Sequence, residues 1–333
     1  MYKPPFTITN KMLNASIAIA QKIEKICSFQ SLKRMPILRK NNRIKSIHSS
    51  LAIEANSLSL NQVRDVIDGH PVIDGHPVIG PKREIEEVKD AYNAYQIIEK
   101  YNCFREKDLL KAHDIIARFI DKEHGRYRSH SEGVVDELGK VIHVAPSEKM
   151  VPQLMGDLFN WIKNDKETPL LIKSCIFHYE FVFIHPFGDG NGRTARLWQN
   201  VLLMKWNNLF EYIPIESYIY KYQKEYYDAI DSSNKKGDSN DFIEFMLKMI
   251  DETVDDVLNS FNQESKNISD QLNRLLEIME LDIPLSANEI MNRLGVKSKE
   301  TLRNSYLNPA IENGLVKMTI PDKPNSKNQK YYR

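Results

Sequence analysis

Twelve residues, HPFGDGNGRTAR at positions 185 to 196, restrict the fold more than any other stretch of this chain. They hold three glycines within five positions, at 188, 190 and 192, together with a His, an Asp, an Asn and two Arg. Glycines this close weaken a helix interior, and two guanidinium groups beside a carboxylate resist burial, so the stretch reads as a site on a loop. The flanks are helical. In LLIKSCIFHYEFVF the positions Ile172, Cys175, Ile176, Tyr179 and Phe183 recur at helical spacing and define one buried face. In RTARLWQNVLLMKW a stripe of Thr194, Leu197, Val201 and Met204 continues the pattern. The unit is therefore helix, loop, helix.

A loop that opens into a helix N-terminus offers unpaired N–H groups and the positive end of the helix dipole, and glycines let a ligand approach the main chain. Gly190 and Gly192 suit such an anion cradle. Arg193 and Arg196 lie three apart on the emerging helix, and their guanidinium forks match phosphate oxygens; one phosphate scarcely needs both. Asp189 is a poor neighbour for phosphate unless Mg²⁺ lies between them, so a polyphosphate with its metal satisfies every member. His185 accepts a proton near neutral pH, with Phe187 placed to hold the imidazole or exclude water. No G-K-[ST] follows, as a Walker A loop needs, and the preceding helix excludes a Rossmann fingerprint.

The length of 333 residues points to about two domains. With 46 basic and 45 acidic residues, no whole-molecule field draws nucleic acid or an anionic membrane, so any basic surface is local. Cys27, Cys103 and Cys175 form no C-x-x-C pair, which argues against a disulfide framework and a cysteine metal site. A reducing cytoplasm fits. Neither a signal-peptide pattern nor eighteen consecutive apolar residues occurs, so a membrane partner is not expected.

Helical spacing also marks EVKDAYNAYQIIEKY, DLLKAHDIIARFI, MVPQLMGDLFNWI and DFIEFMLKMIDETVDDVLNSF, and the expected class is all-α. Three places depart from it. VVDELGKVIHVA, residues 134 to 145, reads as a small hairpin turning at Gly139. DGHPVIDGHPVIG, residues 68 to 80, is a tandem six-residue duplication: a slipped repeat in a surface loop, or paired Asp and His metal ligands. After the polar NQESKN near residue 264 come a helix, a helix-turn-helix with Gly295 in its turn, and a hairpin, a pattern resembling a winged helix.

HPFGDGNGR resembles the signature H-P-F-x-[DE]-G-N-G-R of the Fic family at every defined position, and the resemblance extends over roughly the first 250 residues. It implies an all-α Fic fold and transfer of AMP from ATP to a Tyr, Thr or Ser hydroxyl of a target protein, or of the chain itself. In that reading His185 deprotonates the hydroxyl for attack on the α-phosphate, and Asp189 binds Mg²⁺ bridging the α- and β-phosphates. Asn191 and the main chain of Gly190 and Gly192 stabilise phosphate charge, while Arg193 and Arg196 hold the outer phosphates. A sister group of kinases has Lys at the second Gly of G-N-G and lacks the acid, so Asp189 and Gly192 favour AMP transfer.

Upstream, Ile44, Ile47, Leu51 and Ala55 share a helical face, and Glu54 falls near the end of that helix, before Asn56 and Ser57. By periodicity alone Glu54 is an ordinary surface Glu. SSLAIEAN, however, resembles the Fic inhibitory motif [ST]-x-x-x-E-[GN], with Ser50 and Glu54 in place and Ala55 departing from the last position. The resemblance implies that Glu54 pairs with Arg196 and holds negative charge where the γ-phosphate of ATP belongs, or that it aligns a water for removal of AMP.

The same resemblance makes the hairpin a flap whose edge, at Val141, Ile142 and His143, receives an extended target segment. In GRYRSHS, Arg126, Tyr127 and Arg128 either shape that cleft or cap helices. Tyr227 and Asn234, two turns apart on one helix face, are candidates for adenine contact. From Pro284 onward nine Lys and Arg stand against four Asp and Glu. That tail suits a DNA reader with KSKETLRNS entering a groove, a protein-docking module, or a homodimer contact. The expected division is 1–100 for an N-terminal helical region with the inhibitory helix at about 43–56, 101–262 for the Fic core, and 263–333 for the winged helix. Competing readings are a DNA-binding regulator whose Fic domain senses nucleotide, and a Fic enzyme that removes AMP or moves another phosphate-linked group.

Overall fold

The computed structural model describes residues 2–28, 36–69, 72–73, 76–77, 80–135, 141–280, 282–324 and 326–333. They form two compact units, 1–257 and 258–333. In the first unit the chain runs through α1 (Asn10–Ser28), α2 (Pro36–Ile53), α3 (Leu60–Asp68), the short strands β1 (Val72–Ile73) and β2 (His76–Pro77), α4 (Lys82–Gln96) and α5 (Glu106–Ile116). It continues through β3 (Gly133–Val135), β4 (Val141–Val144), α6 (Val151–Asn164), α7 (Leu170–Ile184), α8 (Asn191–Trp206), α9 (Ile215–Lys221) and α10 (Gln223–Lys236). The unit boundary falls within α11 (Asn240–Ile278). Asn262 to Asn267 carry no Gly or Pro to stop a helix, and the backbone of α11 continues through them.

Helices α7 and α8 pack against each other and carry the loop between them. Helix α7 starts after Pro169, whose φ of −56° suits helix entry, and stops at His185, whose φ of 50° turns the chain into the left-handed region just ahead of Pro186. The expected single buried face was too narrow. Lys173, Ser174, His178 and Glu180 are buried along with the apolar positions, while Phe183 is 38% exposed. The helix lies in the middle of the unit, so nearly every face meets protein. Phe159 meets Phe177 and Trp198 edge-on, at 5.4 and 6.2 Å between ring centroids. Burying each such ring contributes roughly 2–3 kcal/mol.

The expected hairpin is present as antiparallel β3 and β4, with Gly133 opposite Val144 and a register shift between Val134 and Val135. Its turn at 136–140, with Gly139, lies outside the described residues. In the duplication, β1 pairs antiparallel with β2, while His70 and Asp74 lie outside the described residues. Among the described residues no group of three or more His, Cys, Asp or Glu side chains is placed to hold a metal ion, and no helix is long and apolar enough to cross a membrane.

The second unit contains β5 (Leu285–Ser286), α12 (Ala287–Leu294), α13 (Lys299–Leu302), α14 (Asn308–Glu312), β6 (Lys317–Met318) and β7 (Lys330–Tyr332). Gly295 closes α12 at φ 71°, and the strands form one antiparallel sheet in the order β5, β7, β6. Between α13 and α14 the coil widens to π over Arg303–Leu307. Pro309 has no N–H to donate and its ring crowds the carbonyl four residues back, which accounts for the widening. Ile290, Leu302, Leu307, Ala310 and Val316 make its core with Leu275 of α11 and with Met279, which follows that helix.

Candidate active site

The loop from His185 to Gly190 is fastened from within and from three neighbouring elements. Asn191, 4% exposed, accepts the Phe187 N–H through Oδ1 at 3.0 Å and donates from Nδ2 to the Phe187 carbonyl at 2.8 Å. Its amide thus closes the loop onto the first turn of α8. Phe187 is fully buried and lies face to face on the ring of His113, with centroids 3.5 Å apart and planes 3° apart. The imidazole it holds is therefore that of His113. Nδ1 of His113 accepts the Gly125 N–H at 3.0 Å, so the ring proton sits on Nε2, which donates to the Asp189 carbonyl at 2.9 Å. Burial pushes the His113 pKa down to about 4, which keeps it neutral.

Gly190 caps the N-terminus of α8 at φ 80°, a conformation that costs glycine little. A Cβ there would also press on Ala117 and His113, at 3.3 and 3.4 Å. The Asp189 carboxylate accepts the Gly190 N–H and receives Arg193 Nη2 at 2.7 Å, while 41% of its side chain remains exposed. Arg193 Nη1 reaches Glu87 Oε2 on α4 at 3.2 Å, and Arg83 binds Glu87 Oε1 at 3.1 Å. The remaining Nε–H of Arg193 is buried without a hydrogen-bond partner among the described residues.

Arg196 is 2% exposed and faces α2. Nε donates to Ser50 Oγ at 3.0 Å, and Nη2 donates both to the Ser50 carbonyl and to Glu54 Oε1 at 2.8 Å each. The two motif residues thus bind one guanidinium. Burial pushes the Glu54 carboxyl up, but Arg196 and then Arg193 outweigh it and hold the group below its ordinary value. A Cβ on Gly192 would fall on Glu54 Oε1, so this glycine makes the room that the carboxylate fills. Ala55 explains the position where this chain leaves the inhibitory pattern. Its φ is 63°, in the left-handed region that Gly or Asn enters readily and Ala enters at a cost. Helix α2 ends at Ile53 because of that turn, with the Glu54, Ala55 and Asn56 N–H groups folded back onto Leu51 and Ala52.

Residues 103–203 match the Fic/DOC family, and residues 270–333 match the C-terminal domain of the Filamentation induced by cAMP protein Fic-like family. The chain is 39% identical to a Fic family protein of Desulfovibrio desulfuricans G20, superposing with a TM-score of 0.73 over 99% of this chain and 98% of the other.

The chain belongs to the Fic family.

Among curated relatives, protein adenylyltransferase fic-1 of Caenorhabditis elegans is 27% identical over 78% of this chain and 49% of its own length. Protein adenylyltransferase Fic of Aedes aegypti is 32% identical over 64% and 41% respectively. The chain thus spans about half the length, or less, of these curated relatives.

In this Fic protein β4 pairs only with β3 among the described residues, so its outer edge, which includes the backbone of Val141, Ile142 and His143, has no strand beside it. Tyr227 on α10 is 46% exposed. Its ring meets that of buried Tyr226 edge-on, with centroids 5.2 Å apart, and burial followed by the Glu54 charge raises its phenol pKa. Asn234 accepts the Tyr179 hydroxyl at 2.9 Å through Oδ1.

Several residues that build the Fic site were not read as such from the sequence. Glu87 holds Arg193, and His113 holds both Phe187 and Asp189. Behind Arg196, Gln199 Oε1 accepts from His178 Nδ1 at 2.6 Å, His178 Nε2 accepts from the Tyr226 hydroxyl at 2.9 Å, and the Tyr226 oxygen lies against Arg196. The signal was available. Leu109, Ala112, His113 and Ile116 share a helical stripe, and a polar residue on a buried face needs a partner.

Proposed function

We propose that this chain is a protein adenylylyltransferase held in check by Glu54. The observation that carries the reading is the meeting at Arg196 of an inhibitory carboxylate and the helix that follows a complete HPFGDGNGR loop. ATP is the donor. Asp189, partly open to solvent and at the mouth of the cradle, is a hard oxygen donor suited to a Mg²⁺ that arrives with the nucleotide, for which one carboxylate plus phosphate oxygens suffices. When bound, that ion neutralises charge on the phosphates. His185 takes the proton of the target hydroxyl, the hydroxyl oxygen bonds to the α-phosphorus, and the bond to the β-phosphate oxygen breaks as pyrophosphate leaves. Arg193 and Arg196 hold phosphate oxygens, and Arg196 does so once Glu54 withdraws. Tyr227 and Asn234 flank the adenine, and the free edge of β4 takes an extended target segment bearing Tyr, Thr or Ser. The chain's own hydroxyls are also targets, and the setting is the cytoplasm.

Wild type, Glu54→Gly and His185→Ala, each with Mg²⁺ and ATP, test the reading by intact mass. AMP transfer adds roughly 329 Da and phosphate transfer roughly 80 Da. AMP addition that rises in Glu54→Gly and vanishes in His185→Ala supports it; an 80 Da addition overturns it. A second reading rests on the tail, where a helix-turn-helix, a three-stranded sheet and a basic excess suit a winged helix that reads DNA. Salt-sensitive duplex binding without label transfer favours that regulator, and binding by neither unit leaves protein docking or dimer formation for the tail. Removal of AMP through a Glu54-aligned water is a further proposal for the same carboxylate; a Glu54→Gln variant with full removal activity sinks that idea.

A further inference from the structure

Arg128 joins two parts of the site that the sequence separates by dozens of residues. Its side chain is 3% exposed, and all of its hydrogen bonds go to main-chain carbonyls. Nε donates to the His185 carbonyl at 2.8 Å, Nη1 to the His130 carbonyl at 2.7 Å, and Nη2 to the Pro146 carbonyl. Its own N–H donates to the Pro186 carbonyl at 2.9 Å. His130 precedes β3 and Pro146 follows β4, so one guanidinium fastens both roots of the hairpin. The same group fixes the peptide of His185, a residue turned to φ 50°. A guanidinium is planar, with donors in a rigid fork, so the directions of the three carbonyls are locked to one another.

From this geometry we infer that Arg128 is a positioning residue that couples the flap to His185. A target segment paired along β4 then stands at a set distance from the base, because the strand and the base share one rigid anchor. A flap hinged independently of the loop presents the hydroxyl over a range of distances, and misplacement by about 1 Å costs on the order of 100-fold in rate. The inference rests on the adenylyl-transfer reading only for its rate consequence; the mechanical coupling stands apart from it.

The test uses the full chain carrying Glu54→Gly, with and without Arg128→Lys. Lys supplies a point charge and cannot hold three carbonyls in one plane. Amide hydrogen exchange of residues 130–135 and 141–146 is compared with that of 183–190, and the His185 ring is titrated by NMR, its signal assigned by loss in His185→Ala. In Arg128→Lys both segments are expected to exchange about 10-fold faster together. The His185 titration shifts, and AMP self-addition at saturating MgATP slows by about 10- to 100-fold while ATP affinity stays within about twofold. Faster exchange in the flap, with loop protection and His185 titration unchanged, overturns the coupling. Should Arg128→Lys not fold, Pro146→Gly keeps the carbonyl but loosens its strand and is expected to give the same joint pattern at smaller amplitude; an unmoved loop there overturns it equally. If Glu54→Gly with native Arg128 adds no AMP, the transfer reading fails, while exchange and titration still decide the clamp.

Discussion

The HPFGDGNGR loop and the tip of α2 meet at α8, yet they are held in different ways. The loop is tied at almost every residue: Arg128 takes the His185 and Pro186 carbonyls, Asn191 closes on Phe187, and His113 takes the Asp189 carbonyl. The carboxylate of Glu54 is held by one guanidinium, with 28% of its side chain exposed, on a turn that carries a left-handed Ala55. Gln223 supports that turn from one side, donating to the Ile53 carbonyl at 3.1 Å. On the proposed function the difference has a reason: a site that must align reacting atoms is over-determined, whereas a brake that must release has a light grip.

The sharpest way to break this contrast is at His185. In a Glu54→Gly background, His185→Ala is expected to lower AMP addition by roughly 10²- to 10⁴-fold while leaving the loop folded, because Arg128 binds the backbone of that residue and not its ring. Rate by intact mass and a melting curve check both halves. A collapse of stability equal to the loss of rate puts the loop's order in the ring after all.

Acid comes next. His113 and His178 are pushed by burial to about 4 and about 3, below the ordinary 6.5. Between those values the unfolded chain binds protons that the native state refuses, so stability falls as pH drops below about 6.5, by roughly 3 kcal/mol or more per histidine when complete. Glu180, raised by burial to about 6, opposes this in part, since its contribution is present below 4.5 and lost as pH rises through its folded value. Denaturant melts between pH 7 and 4 read the net slope; His113→Phe is expected to flatten it, and an unchanged slope removes His113 from the account.

At the brake, Glu54→Gly is expected to raise AMP addition by about 10- to 100-fold and tighten ATP binding, since it frees Arg196. No change in ATP affinity argues that the pair with Arg196 does not compete with phosphate. The smallest effect is the most specific to this chain. Ala55→Gly relieves a left-handed alanine and is expected to steady the docked tip by about 1 kcal/mol, lowering basal AMP addition about fivefold. A rise in basal addition instead places the strain outside the brake.

The helix, loop, helix unit was legible because its evidence is local. Apolar spacing marks α7 and α8, and three glycines between them mark the turn. Residues 134 to 145 were legible as a hairpin for the same reason. Glu87 and Tyr226 were not, nor were the partners of Arg128, because each acts far away in the chain: Glu87 and Arg193 are 106 positions apart, and Arg128 and His185 are 57 apart. Spacing inside one helix says that such a residue faces inward. It does not say whom it meets.

By itself, then, the sequence determined that a dense Gly-rich loop opens onto a helix, that the chain is mainly helical, and that Glu54 of SSLAIEAN falls near the end of a helix. Only the tertiary structure decided that Gly192 yields its Cβ space to Glu54, that Asn191 and His113 are spent on holding the loop, and that one buried arginine ties the flap to His185. Propensity and periodicity act over a few residues, whereas a buried polar group takes whichever partner the packing of distant helices brings to it.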